Sequence, residues 1–305
     1  MTPASAADQG DDGHDDEGRG DADRMTFDAL LPDAMARKAE AIGAGKAAMP
    51  AVQTFALAVL AGAFIALGAA FSTTVSTGAE AAVGYGPSRL LAGFAFCLGL
   101  VLVVVAGAEL FTGNTLLVMG WTARRITARA VLRNWAIVYG GNLVGAVGTA
   151  VLVYGSGHYR NAGGAVGEQA LRTADAKAGL GIDEAIVLGI LANALVCLAV
   201  WLCYSARSVT DKVLAIVLPI TAFVAMGFEH SVANMYFLPV GLFIDSGAPA
   251  AFWSETGLAS DAFEHLTWTD AVMRNLAPVT LGNIIGGAGF VGLVYAFVYL
   301  QPRRR

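Results

Sequence analysis

Cysteine, charge and histidine are all scarce in this chain, and each scarcity closes off a class of function. Cysteine occurs three times in 305 residues, as Cys97, Cys197 and Cys203, with no CxxC pair and no mixed Cys/His spacing. Each lies in an apolar run, which makes it a small packing residue and leaves no metal or other cofactor to expect. Charged residues are only 14% of the sequence against 56% hydrophobic, and mean hydropathy is +0.61. The bilayer is therefore the expected solvent, and nucleic acid is not an expected partner. Of the four histidines only His230 falls inside an apolar run; His14 precedes the first run, and His158 and His265 lie between runs.

What charge there is has been sorted. Eight acids lie between Asp8 and Asp23 in a stretch almost without apolar residues. Residues 1–24 thus read as a solvated, disordered tail, without the basic start and apolar core of a signal peptide. Residues 25–48 follow as an amphipathic helical region, with Leu30, Leu31, Ala34, Met35 and Lys38 at helical spacing; a partly helical solvated linker is the alternative. The membrane domain spans 49–305, with apolar runs at about 51–72, 90–121, 134–154, 184–204, 213–243 and 274–300. Twelve lysines and arginines, among them Arg37, Lys46, Arg124, Arg129, Arg207 and Arg305, fall on one side of these six candidate crossings and five on the other. The positive-inside rule then places both termini in the cytoplasm.

Two runs are too long for one straight crossing and too short for two. The 31 residues from Val213 to Phe243 would make about 46 Å of helix, and the 32 from Leu90 to Trp121 about 48 Å, against a hydrocarbon core of roughly 30 Å. Each contains a matching stretch: Gly107-x-Glu109 with Asn114, and Gly227-x-Glu229 with Asn234. The match extends on both sides. Leu60-Ala61-Gly62-Ala63 answers Leu191-Ala192-Asn193-Ala194, and Arg133-Asn134 with Gly141-Asn142 answers Arg274-Asn275 with Gly282-Asn283. Two repeats of three spans, about 51–154 and 184–300, must enter the membrane from opposite sides because three is odd. The fold class is thus all-α integral membrane, an inverted repeat of three plus three helices whose second and fifth are broken and meet near the midplane.

The chemistry-bearing residues gather at those breaks. His230 stands in one and Thr112 in the other, able to bond each other or a passing solute; the rival readings are a packing histidine and a threonine bonded to its own backbone. Glu109 and Glu229 occupy equivalent places, which argues for a structural duty, accepting bonds from backbone N–H groups freed at the breaks; a proton relay is the alternative. Asn193 and Asn283 either hold interrupted backbone or touch solute. Phe96, Leu100 and Phe223 are either core or apolar collars, and Lys177, in an outward loop near Arg172, either concentrates anions at the mouth or does no more than solubilise. An intramembrane enzyme built on Glu229 and His230 is disfavoured, since neighbours on a helix diverge by about 100° and no HExxH occurs.

The stretches ELFTGNTLLV (109–118), NWAIVYGGNLVGA (134–146), TADAK (173–177), LGILANALVCLAVW (188–201), YSARSVTDK (204–212), GFEHSVANM (227–235) and PVTLGNIIGG (278–287) together resemble the formate/nitrite transporter family, and its formate channels most. The resemblance runs from about Phe27 to Leu300. It implies an aquaporin-like protomer, a homopentamer with one pore per subunit, and passage of small monovalent anions across a bacterial inner membrane; the paired Asn-Pro-Ala signatures of aquaporins themselves are missing. It also implies that Thr112 and His230 face each other at the pore centre beside Asn193 and Asn283, with apolar constrictions at Phe96, Leu100, Leu110 and Phe111 on one half and Val196 and Phe223 on the other. Lys177 would be the outward lysine, and the N-terminal helix would take part in pH gating. The expected function is channel-like transport of formate, coupled to protons or gated by pH through His230; nitrite and hydrosulfide members share the histidine centre and stand as alternatives.

Overall fold

A computed structural model of the chain describes residues 29–259 and 261–300. The acidic tail and Arg303 to Arg305 lie outside the described residues. What is described is helical almost throughout, as a chain in lipid must be when each segment has to satisfy its own backbone. Five helices are long and apolar enough to cross a membrane: α2 (Ala51–Ser76), α4 (Tyr85–Ala106), α7 (Ala128–Gly155), α9 (Ile182–Ser205) and the last, Trp268–Tyr299. The sequence run at 213–243 becomes two 17-residue helices, α10 (Val209–Ala225) and α11 (Ser231–Gly247), separated by a break. The run at 90–121 is interrupted likewise, α4 giving way to short α5 (Phe111–Asn114), one 3-10 turn and α6 (Val118–Thr122).

Three details refine or depart from the sequence reading. The N-terminal helix α1 is Pro32–Ala48, a start within the expected 25–48 region that Pro32 at its first position favours. Its buried face is Met35, Ala36, Ala39 and Gly43, while Leu31 stays largely exposed. The segment carrying Lys177, read as a loop, is helix α8 (Ala165–Ala178), which buries Val166, Ala170, Leu171, Ala174 and Ala178. The last helix contains two π-helical stretches, Ala271–Leu276 and Ile285–Leu293, that apolar periodicity gave no sign of.

Small residues set how close the helices come. A Cβ on Gly145 of α7 would fall onto the Val59 carbonyl of α2, and one on Gly286 of the last helix onto the Ile190 carbonyl of α9. These are the same contact in the two repeats. Where lipid offers no hydrophobic gain for helix association, close backbone approach of this kind supplies the packing energy. Gly145→Val is expected to force α2 and α7 apart at a cost of about 1–3 kcal/mol, lowering the melting temperature of the detergent-solubilised protein. Gly148→Val, with nothing within 4 Å of the added atom, is expected to leave it nearly unchanged.

Candidate functional site

Each break begins at a glycine. Gly107 and Gly227 have φ of 75° and 74°, left-handed values that a side chain resists. Past them the chain folds back for one bond, Ala108 N–H donating to Val103 O at 2.9 Å and Phe228 N–H to Phe223 O at 3.0 Å, then runs extended to Leu110 and His230. This is a helix C-terminal cap used in mid-membrane. The extended residues keep partners across the fold: Glu109 N–H donates to Leu57 O at 3.2 Å, and Glu229 N–H to Leu188 O at 3.3 Å.

One asparagine per repeat replaces the missing helical bonds. The Asn142 side-chain oxygen accepts from Phe111 N–H at 2.8 Å, while its amide donates to Ala58 O at 2.7 Å and Glu109 O at 2.9 Å. Asn283 repeats the pattern, accepting from Ser231 N–H at 2.9 Å and donating to Gly189 O at 2.8 Å and Glu229 O at 2.9 Å. Both are fully buried, so these bonds are what makes the breaks tolerable.

The glutamates do something other than the sequence reading assigned. Among the described residues no backbone N–H donates to either carboxylate; the freed N–H groups go to Asn142 and Asn283. The reason is reach. Asn142 and Asn283 stand on neighbouring helices opposite Phe111 and Ser231, whereas each glutamate side chain is drawn toward a lysine. Glu109 pairs with Lys46 at 2.9 Å and accepts from Asn114 at 2.6 Å, and Asn114 also donates to Asn134 at 2.9 Å. Glu229 pairs with Lys177 at 2.6 Å and accepts from Asn234 at 2.6 Å and Asn275 at 3.1 Å. Each carboxylate, 4% or 5% exposed, is thus met by a lysine and by one asparagine amide at Glu109 or two at Glu229. The clusters differ at two points, the first being that Asn275 donates to Glu229 whereas its repeat mate Asn134 makes no such bond to Glu109 among the described residues. The second is that Lys46 also donates to Asn114 Oδ1 at 2.8 Å, whereas Asn234 Oδ1 has no partner among the described residues.

Between the clusters, Thr112 Oγ1 and His230 Nε2 lie 2.8 Å apart, both essentially inaccessible. His230 Nδ1 accepts from Ala233 N–H at 3.1 Å, so the ring also caps α11. A cavity of about 260 Å³ approaches from one side, bordered by Lys38, Lys46, Leu100, Glu109, Leu110 and Lys212. A second, of about 80 Å³, approaches from the other and is bordered by Arg89, Phe96, Lys177, Phe223, His230 and Asn234. The Phe96 and Phe223 rings meet edge to face at 5.5 Å, and Phe223 lies 5.9 Å from the His230 ring.

Of the expected residues, Leu100 and Leu110 border the first cavity and Phe96, Lys177, Phe223 and His230 the second, while Thr112 borders neither and is joined to them by its bond to His230. The remaining expected residues lie away from both cavities. Phe111 packs edge-on against Trp135 at 6.2 Å and Tyr139 at 5.0 Å, because its position opens a helix that turns it toward α7. Val196 is buried and borders neither cavity. Asn193 and Asn283 border neither as well: Asn193 donates to Thr112 O at 3.3 Å, Thr115 Oγ1 at 3.2 Å and Asn283 O at 2.6 Å, holding one break to the last helix. Sequence reasoning passed over Lys46, which the repeat could have revealed, since it precedes Leu60-Ala61 by the same interval as Lys177 precedes Leu191-Ala192. It passed over Arg89 too, whose guanidinium donates to Val224 O at 2.6 Å and Ala225 O at 3.3 Å and so closes the end of α10.

Comparison with known proteins agrees with this geometry. Residues 33–297 match the family model described as formate/nitrite transporter. The chain is 47% identical over 275 residues to the formate channel FocA of Escherichia coli (strain K12), covering 90% of this chain and 96% of that one. It is 39% identical to a probable formate transporter of Methanothermobacter thermautotrophicus, covering 87% and 96%. Among solved structures, a pentameric formate channel with formate bound superposes with a TM-score of 0.76 at 40% identity, covering 82% of this chain and 98% of that one. An FNT family ion channel does so with 0.73 at 30% identity, covering 88% and 99%. A multi-pass membrane protein with two inverted breaks, matched over most of its length in this way, belongs to the formate/nitrite transporter family.

Proposed function

We propose that the chain carries formate across the membrane as a homopentameric channel with one passage per protomer, coupled to protons at His230. The observation that supports this best is the Thr112–His230 pair, buried where two broken helices meet and flanked by lysine-bearing cavities. A small monovalent anion is drawn in by Lys46 or Lys177, whose charge is only partly offset by the neighbouring carboxylate. It leaves water behind at Leu100 and Leu110 on one side, or Phe96 and Phe223 on the other. A bare anion pays heavily for that step, and a proton supplied or stabilised at the histidine lowers the cost. The relatives named as formate channels favour formate over nitrite and hydrosulfide. The chain works as a transporter rather than an enzyme, in an inner membrane with both termini cytoplasmic by the distribution of its bases. Of the ion pairs on α1, Asp33 is held below the ordinary carboxylate range by its bond to Arg37, so this pair stays charged near neutrality. Gating by this helix would then work through its other contacts, Glu40 with Arg125 and Lys38 with the Tyr204 carbonyl.

Formate flux into proteoliposomes, followed by stopped flow across pH, tests the reading. Wild type is expected to conduct formate with a pH-dependent rate and His230→Phe to lose that dependence; unchanged pH coupling in the variant would refute the histidine's proton role. Lys177→Met is expected to reduce formate flux about tenfold at low salt and less at high salt, where the attraction is screened. It also strands Glu229, a loss of about 3–5 kcal/mol for a buried pair. The double variant Lys177→Met/Glu229→Gln is expected to recover thermal stability but not flux, which separates the anion-gathering role from the structural one.

A further inference from the structure

We propose that the His230 nitrogen capping α11 is the same nitrogen that must receive a proton when the ring is charged, so that capping and charging exclude each other. The ring's Nδ1 accepts the Ala233 N–H at 3.1 Å, and the His230 backbone, with φ of −118° and ψ of 113°, has the extended form of an N-cap residue. A nitrogen that accepts a backbone N–H bears no hydrogen. The neutral ring must then carry its single hydrogen on Nε2, which faces Thr112 Oγ1 at 2.8 Å and donates to it. That leaves the threonine's own hydroxyl hydrogen free to point toward a passing anion.

Charging the ring places the second hydrogen on Nδ1, the one nitrogen still holding a lone pair. Two donors, Nδ1–H and Ala233 N–H, then oppose each other and the cap must open. None of the charged groups around the ring bonds to it. Glu229 and Lys177 are committed to each other, Arg89 to the Val224 and Ala225 carbonyls, and Glu109 and Lys46 to each other beyond Thr112. Proton uptake therefore releases the first turn of α11, which carries Asn234 of the Glu229 cluster, while Asn283 keeps its hold on Ser231 N–H. The other break has no such device: its cap position is Leu110, with no side-chain bond.

The inference rests on the geometry at His230 rather than on which anion crosses, so absence of formate flux would leave it standing. The test uses the full-length protein in lipid nanodiscs with histidine labelled by nitrogen-15, His230 being assigned by its loss in His230→Asn. At neutral pH the expected spectrum has Nε2 protonated and Nδ1 bare; Nδ1 protonated would overturn the proposal. In parallel, hydrogen exchange of the segment Val232 to Asn234, corrected for intrinsic rate, is expected to quicken about fivefold as the pH is lowered through the transition at which the nitrogen-15 spectrum shows the ring charging, the factor one cap bond carries. Asparagine caps without titrating, so His230→Asn is expected to show no such change. Equal pH response in the two proteins, or none in wild type, would overturn it.

Discussion

A helix interrupted inside a membrane frees N–H and C=O groups where no water is assured, and each left unpaired costs about as much as a folded domain can spare in one place. This chain meets that constraint twice with a single side chain, Asn142 for the break after Gly107 and Asn283 for the break after Gly227. Each asparagine binds the first N–H of the restarted helix and the carbonyl two residues before it, and ties both to a neighbouring helix. The extended segments are thereby held open instead of collapsing back into helix. The proposed route between the cavities depends on those segments staying extended.

The scaffold is made twice and the chemistry once. Glycine cap, asparagine clamp and Lys–Glu–Asn–Asn cluster recur in both repeats with nearly the same distances. At the centre the symmetry stops: His230 answers Leu110, and Asn193 answers Gly62. A symmetric pair of leucines would offer the solute no proton, and a symmetric pair of histidines would set two like charges side by side once protonated. One polar face against one apolar face is what the proposed passage requires, narrow and dry at its collars and able to exchange a proton at a single point.

Much of this was legible in the sequence, and the residues show why. The breaks were visible because a run too long for one crossing carried Gly-x-Glu and Asn in both halves; the inversion followed from an odd number of spans. Thr112 and His230 were found because polar residues at membrane depth are rare enough to stand out. What stayed hidden was direction. Nothing in a linear pattern says that Phe111 turns toward Trp135 and Tyr139, or that the amide of Asn283 is consumed by backbone. Nor could charge alone separate Lys46 and Lys177 from lysines that only solubilise; each acquires meaning from the buried glutamate it reaches. α8 was missed because it lies between membrane runs and is polar on average, although Val166, Ala170, Leu171, Ala174 and Ala178 do recur at helical spacing.

The claim on which the rest stands is that Asn142 and Asn283 replace lost helical bonds at the breaks. Residue-resolved amide exchange at Phe111 and Ser231 tests it most directly. Both amides should be as protected as those of the flanking helices, and Asn142→Leu or Asn283→Leu should each expose its own partner, with exchange at least about tenfold faster, the factor for losing one well-made bond, while the other stays protected. Rapid exchange of both in the unaltered protein, or no change on either substitution, would contradict the account.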